Sequence, residues 1–473
     1  MTNSLFIGVD VSLQSNQICV LNFDQHKFFN LKFSNTPDGC EDAIEKIKNI
    51  YDKFYFDKIV VVCEATSMYS FHLACYFSSH EYLNNFNTEV YQINAHDFAK
   101  YKDSFNDIEK TDHSDAYILA DFARVGRTKS LHPFRGSQYI ALQRLTRQRY
   151  HISKNLVREK LYVMNNIYLS FSGLIIADKK NKPFSNMFGA TSCAIFDNFD
   201  SPDQIAETPV DDLLDLISKV GKNRTKNPNE KIDLLNKAIR SSYRLDQTAY
   251  SGINIAVASS LSTIKFLENE LKQVDKAILD TVSGLDSNTY NSLLSIRGIG
   301  KVYAAGILAE IGDVNYFKHN SNLAKYAGLY WNRTQSGKFE KEDKKYSKHA
   351  NKYLRYYLIE ATSSCVRMNF PFIKNFYDSK YKEVTKHQHK RALVLSARKL
   401  VRLIFGLLRK NQYYSPLDSN TQSLINWVRF IDELMFSFIL NSFCHGIIYL
   451  IREKLFKNSR DFHLDILPDV FIL

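Results

Sequence analysis

Four carboxylates stand where a charge is expensive to keep. Asp10 ends the apolar run FIGVD, Glu64 follows KIVVVC, and Asp112 and Asp115 lie three apart in KTDHSDAYILADF. A charge at the end of a buried strand is costly unless water, a partner or a metal compensates it. Residues three apart share one face of a helix. Taken alone, Asp112 also reads as a helix cap and Asp115 as part of a first turn. Four oxygen ligands with no Cys/His set beside them suit Mg2+. Two such ions about 4 Å apart stabilise the attacking and leaving oxygens of a phosphodiester. The chemistry implied is metal-assisted phosphodiester cleavage or transfer.

A second set surrounds Ser336 in WNRTQSGK, with Arg333, Lys338, Lys348 and Arg355 nearby. A serine attacking a phosphodiester needs easier deprotonation and cations around the phosphoryl group. By composition alone a Ser-Gly in a polar stretch is ordinarily a turn.

The elements that must position these residues follow from hydrophobic spacing. Strands are predicted over 5–11, 17–23 and 27–33, then a helix over 41–54, a buried strand over 58–63, a helix over 68–77, a strand over 88–93 and a helix over 112–124. That order is an α/β RNase H-like domain over 1–130. In it the first strand lies beside the strand of Glu64 and the last helix packs near their ends, so all four carboxylates converge. A helical coiled-coil region is predicted over 131–285. Its first long helix runs from 137 past 161, with Leu142, Leu145, Ile152 and Leu156 apolar and Arg144, Arg147 and Arg149 on another face, assigned to nucleic acid. The segment 172–229 reads as loop-rich. A second long helix over 253–279 has apolar residues at spacings of three and four, a coiled-coil-like seam. An antiparallel hairpin and a dimerisation arm both fit that seam.

From 293 the text LLSIRGIGKVYAAGILAEIGD reads as a helix–hairpin–helix-like start to a mainly α domain over 286–412. Its Gly-Ile-Gly turn offers backbone N–H groups to a phosphate, with Lys301 beside it. An apolar helical tail over 413–473 completes the chain.

Charge is unevenly placed. The chain carries 62 Lys and Arg against 50 Asp and Glu, a net of +12. Residues 331–410 hold 20 basic and 6 acidic residues, a net of +14, which leaves −2 for all the rest. A local basic face is the footprint of a nucleic-acid binder, and a solvated helix face is the plainer alternative. The seven cysteines have no CxxC pair and no zinc-ligand spacing, which predicts reduced thiols in a cytoplasmic protein. No signal-peptide pattern opens the chain. Residues 434–451 reach membrane-span length, but polar residues interrupt them, and a buried or partner-packing helix is expected rather than a membrane contact.

GVDVS, CEATSMY, KTDHSDA, RGIGKVYAAGILAEIGD and AGLYWNRTQSG, in this order over 5–408, resemble the DEDD-type insertion-sequence transposases. This is the family numbered one hundred and ten, whose relatives include DNA invertases. The resemblance implies a RuvC-like N-terminal domain whose acidic positions are Asp10, Glu64, Asp112 and Asp115. It implies that Ser336 becomes covalently linked to a DNA end and that the metal-holding domain completes a composite site with it. It also implies a guide RNA from the element, bridging donor and target DNA by base pairing, and a homo-oligomer, dimer or tetramer, on DNA. The protein would then read backbone and shape while pairing reads sequence. Three positions depart from the family pattern: Tyr330 and Trp331 follow Gly328-Leu329 without the usual proline, Ala350 stands where glycine is expected, and Arg297 where proline is common. Two other functions share the carboxylates: a Holliday-junction-resolvase-like metal nuclease without a covalent intermediate, and an inactive DNA-binding remnant.

Overall fold

The computed structural model describes residues 3–65, 68–105, 109, 111–131, 133–178, 180–221, 227–285, 287–330, 335–336, 339–340 and 350–415. Contacts divide the chain into Met1–Tyr413 and Tyr414–Leu473, and nearly all described residues belong to the first unit.

The unit opens with β1 (Ser4–Val11), β2 (Ser15–Leu21), β3 (Lys27–Ser34), α1 (Pro37–Phe54), β4 (Lys58–Glu64), α2 (Tyr69–Ser79), α3 (Glu81–Asn84), β5 (Asn87–Ile93), α4 (Ala95–Lys102) and α5 (Asp112–Arg124). The sheet order is β3-β2-β1-β4-β5. β1 is antiparallel to β2 and parallel to β4, and β4 is parallel to β5. This mixed sheet is compatible with an RNase H-like start, and α3 and α4 are additions to the expected order.

Side chains alternate across the sheet. Leu5, Ile7, Val9 and Val61 pack with Ile44 and Ile47 of α1 and Leu73 and Phe77 of α2. Phe6, Val60 and Val62 pack on the other face with Ile118, Leu119 and Phe122 of α5. Gly8 belongs to the α5 face, and a Cβ there would lie 2.2 Å from Ala116 O and 2.3 Å from Ala120 N. α5 therefore rests almost directly on the β1 backbone. Period two places Asp10 on the face of Phe6 and Gly8, and Glu64 on the face of Val60 and Val62.

The middle of the chain holds α6 (Ser137–Ser170), α7 (Ser172–Ile176), α8 (Ala190–Asn198), α9 (Pro202–Glu207), α10 (Val210–Gly221), α11 (Pro228–Arg240) and α12 (Gln247–Val282). α6 and α12 pair antiparallel within the chain: Arg149 meets Asp275, Lys160 meets Glu268, and Ser170 meets Asn254. The segment expected to be loop-rich is instead largely helical. Its helices are short, so each shows few apolar positions, yet Ile195, Ile205, Leu213 and Ile217 form one core with Val163, Ile167, Val257 and Leu261.

The last part holds α13 (Ser287–Leu294), α14 (Lys301–Ile311), α15 (Asn320–Tyr326), β6 (Gln335–Ser336), β7 (Phe339–Glu340), α16 (Lys352–Arg367), α17 (Pro371–Lys382) and α18 (Gln388–Lys410). α14 is buried from Ala304 to Ile311 and forms the centre. The aromatic ring of Tyr357 lies 2.5 Å from where a Cβ on Gly306 would stand, so the glycine makes room for it. Among the described residues six cysteines are free, and no helix is long and apolar enough to cross a membrane. The stretch 434–451 lies outside the described residues.

Candidate active site

The carboxylates gather at the end of β1 and β4 that faces the start of α5. α5 begins with a capping box: Thr111 Oγ1 accepts from Ser114 N at 3.2 Å, and Ser114 Oγ accepts from Thr111 N at 2.9 Å. The cap is thus Thr111, not Asp112. This leaves the exposed Asp112 and half-buried Asp115 in the first helical turn.

Burial raises the Asp10 carboxyl from 3.8 to about 6, helped by the charges of Asp115, Asp112 and Glu64, while Lys102 pulls it down. Asp10 therefore feels the charge of each of the other three carboxylates. Lys102, in the last turn of α4, is the counter-charge, its Nζ donating to Asp115 Oδ2 at 2.5 Å. Gln17 Nε2 reaches Asn30 Oδ1 at 2.5 Å and His113 Nδ1 at 2.8 Å, and Asn30 Nδ2 donates to His113 O at 2.9 Å. These bonds tie β2 and β3 to the first turn of α5. Sequence reasoning missed Lys102, Gln17, Asn30 and His113; only the position of His113 between two carboxylates marked any of them.

Among the described residues no three His, Cys, Asp or Glu side chains close to metal-ligating distance. The donor chemistry still fits a hard cation. All four groups are oxygen donors, one lysine offsets them, and burial together with their repulsion raises the Asp10 carboxyl above its ordinary value.

In the basic domain, Ser336 is the last residue of β6 and pairs with Phe339 of β7, as Gln335 does with Glu340. Arg333, Lys338 and Lys348 lie outside the described residues. Arg355 is half-buried on α16, and Lys301 is exposed as the first residue of α14. Gly298, three residues before the start of α14, has φ 102°, and a Cβ there would lie 2.6 Å from Cys365 Cα, so this turn packs onto the α16 backbone.

The three arginines of α6 divide. Arg144 is exposed and touches Met68 Sδ. Arg147 donates twice to Glu310, Nε to Oε1 at 2.8 Å and Nη2 to Oε2 at 3.0 Å, and the Glu310 side chain is fully buried. Arg149 Nε donates to Asp275 Oδ1 at 2.5 Å. Burial works against the charge of Arg147, but the Glu310 bonds outweigh it and hold its pKa above the ordinary value. These two guanidiniums are committed to acids inside the fold, because α6 packs against α14 and α16 as well as α12.

Residues 7–167, from β1 almost to the end of α6, match a family model described as a transposase, of the DEDD type of IS110. Residues 290–378, from α13 into α17, match a model described as the transposase IS116/IS110/IS902 family. The chain is also 23% identical over 317 residues to the insertion element IS116 uncharacterized 44.8 kDa protein of Streptomyces clavuligerus, which covers 66% of this chain and 75% of that protein. The carboxylate-bearing sheet and the helical segment that carries β6 are thus each matched by a transposase family model, the first of the IS110 DEDD type and the second of the IS116/IS110/IS902 family.

Proposed function

We propose that the protein cuts and rejoins DNA strands in transposition, with Asp10, Glu64, Asp112 and Asp115 holding Mg2+, Ser336 as nucleophile, and an element-encoded RNA as guide. The observation that carries this reading is the gathering of four carboxylates at one sheet end, where burial and the charges of the other three raise Asp10 to about 6. Mg2+ bound there would offset charge on the phosphodiester oxygens during displacement. Ser336 Oγ bonds to phosphorus, gives up its proton, and one P–O bond of the DNA strand breaks. A DNA hydroxyl reverses that step when strands are rejoined. Lys301, Arg144, Arg355 and the basic stretch 331–410 hold the DNA and RNA backbones. Base pairing selects the sequence. Protomers act together as an oligomer on DNA.

The test is recombination between donor and target plasmids in cells, with the flanking non-coding DNA of the element supplied. Wild type, Ser336→Ala and Asp10→Ala are compared, and adducts are trapped on denaturing gels. Activity lost in both variants, with a wild-type protein–DNA adduct, supports the reading. Activity that survives Ser336→Ala but not Asp10→Ala makes the protein a resolvase-like metal nuclease. A biological effect unchanged by both makes it a DNA-binding remnant.

A further inference from the structure

The described residues on either side of the segment that carries Ser336 meet at one joint. α15 ends in a left-handed turn at Gly328 (φ 69°), where Gly328 N donates to Lys325 O at 2.9 Å and Leu329 N to Ala324 O at 2.8 Å. These bonds satisfy two of the last helix carbonyls. On the return, Asn351 caps α16, its Oδ1 accepting from Tyr353 N and Leu354 N, both at 3.0 Å. Asn351 N also donates to Tyr326 O at 2.8 Å. The Ala350 methyl sits 2.5 Å from where a Cβ on Gly328 would be, so exit and entry are in contact.

The other half of the Asn351 amide faces inward. Nδ2 donates to Glu310 Oε2 at 2.7 Å and to Tyr326 Oη at 3.1 Å. Glu310 is the buried acid that also grips Arg147 on α6, the long helix that follows the carboxylate domain. Asp, Ser or Thr would cap α16 as well as Asn does. The Asn351 amide does both from separate atoms, Oδ1 capping the helix while Nδ2 donates to the buried carboxylate.

We propose that Asn351 is a positioning residue: with Glu310 and Arg147 it fixes the base of the Ser336 segment to α6, and so sets where the nucleophile stands. This rests on Ser336 being the nucleophile. Each link of the chain Arg147–Glu310–Asn351–Tyr326 is a hydrogen bond with a buried or half-buried partner.

The experiment uses the full-length protein, its element-end DNA duplex and the transcribed flanking RNA. Asn351→Asp keeps the cap but sets a second carboxylate against Glu310. Glu310→Gln together with Asn351→Asp restores one carboxylate and one amide with the hydrogen bond reversed. Three quantities are read: single-turnover strand cleavage at saturating DNA, DNA affinity, and hydrogen exchange at the Leu329 and Asn351 amides. The expected result is that Asn351→Asp slows cleavage at least tenfold, leaves affinity within about threefold and speeds exchange at both amides, and that the double variant recovers most of both. Cleavage within twofold of wild type in Asn351→Asp overturns the proposal, as does a double variant no better than the single. Ser336→Ala is run alongside. If it still cleaves, the nucleophile reading has failed and takes the positioning role with it; if it does not, an unresponsive Asn351→Asp counts against the positioning role alone.

Discussion

Gly8→Ala tests how the carboxylates are held together. A methyl at Gly8 would meet Ala116 O at 2.2 Å, Ala120 N at 2.3 Å and Leu119 Cβ at 2.8 Å, where ordinary contact begins at 3.4 Å. Overpacking typically costs about 1–3 kcal/mol when side chains give way. Here two of the three neighbours are main-chain atoms of α5, so the helix must move off β1 as a body by about 1 Å. We expect about 3 kcal/mol of destabilisation, on the order of a hundredfold in the folding equilibrium. That movement also carries Asp112 and Asp115 away from Asp10. A shift of about 1 Å is large beside Mg2+–oxygen distances of about 2.1 Å, so Mg2+ affinity should fall more than tenfold. Urea unfolding followed by circular dichroism gives the first quantity and titration calorimetry the second. Adding Ala120→Gly should not rescue either, because the clashes are with backbone atoms. An unchanged urea midpoint together with Mg2+ affinity within twofold of wild type would refute the reasoning.

Other consequences are equally direct. Tyr357→Phe removes a buried bond from Tyr357 Oη to Thr146 O at 2.7 Å, a carbonyl that also belongs to the α6 helix ladder, so it should cost about 0.5–1.5 kcal/mol in urea unfolding; a loss under about 0.3 kcal/mol means that the helix bond alone satisfies the carbonyl. In metal-free protein the raised Asp10 value, about 6 against 3.8, means that the folded state keeps a proton the unfolded chain has released. Its contribution to stability therefore falls as pH rises from about 4 to about 6 and levels off above, and Asp10→Asn should flatten that slope; a wild-type midpoint that rises through this window relative to Asp10→Asn contradicts the assignment. Lys102→Met removes the cation paired with Asp115, so Mg2+ should bind several-fold more tightly, and weaker binding would show that Lys102 organises the site instead of competing for it. Lys301→Ala should lower the salt slope of DNA binding by about 1, whereas Arg147→Ala should leave it unchanged; equal effects in a filter-binding series would place Arg147 on the DNA.

The N-terminal fold was legible because its signals are local. The alternation in β1 and the β-branched run of β4 announce buried strands, and the TDHSDA start of α5 carries a capping pattern beside its apolar set. The carboxylates were legible for the same reason, since a charge ending an apolar strand needs no distant information to look odd. What was not legible depends on partners far along the chain. Lys102 gains meaning only through Asp115, and the Gln17–Asn30–His113 strut only through the register of β2 and β3. The helices between 172 and 229 are short and polar-faced, so their few apolar positions show no period until Val257 and Leu261 of α12 complete their core.

The arginines of α6 show why charge on a helix is a poor guide to its partner. A helix with one apolar stripe invites the assumption that its other face meets solvent. α6 is buried along two faces, one toward α12 and one toward α14 and α16. Arg147 meets Glu310 of α14 and Arg149 meets Asp275 of α12, acids that lie 163 and 126 residues away. No window along the sequence contains both members of either pair. Over the whole chain the acids are too few to neutralise the cations even if every one were paired, since 50 acids face 62 bases, and 331–410 alone hold 20 bases against 6 acids. An excess that survives full internal pairing is what a polyanion can use. The surplus of a region, not the sign of a residue, is therefore the part of the charge pattern that points to nucleic acid.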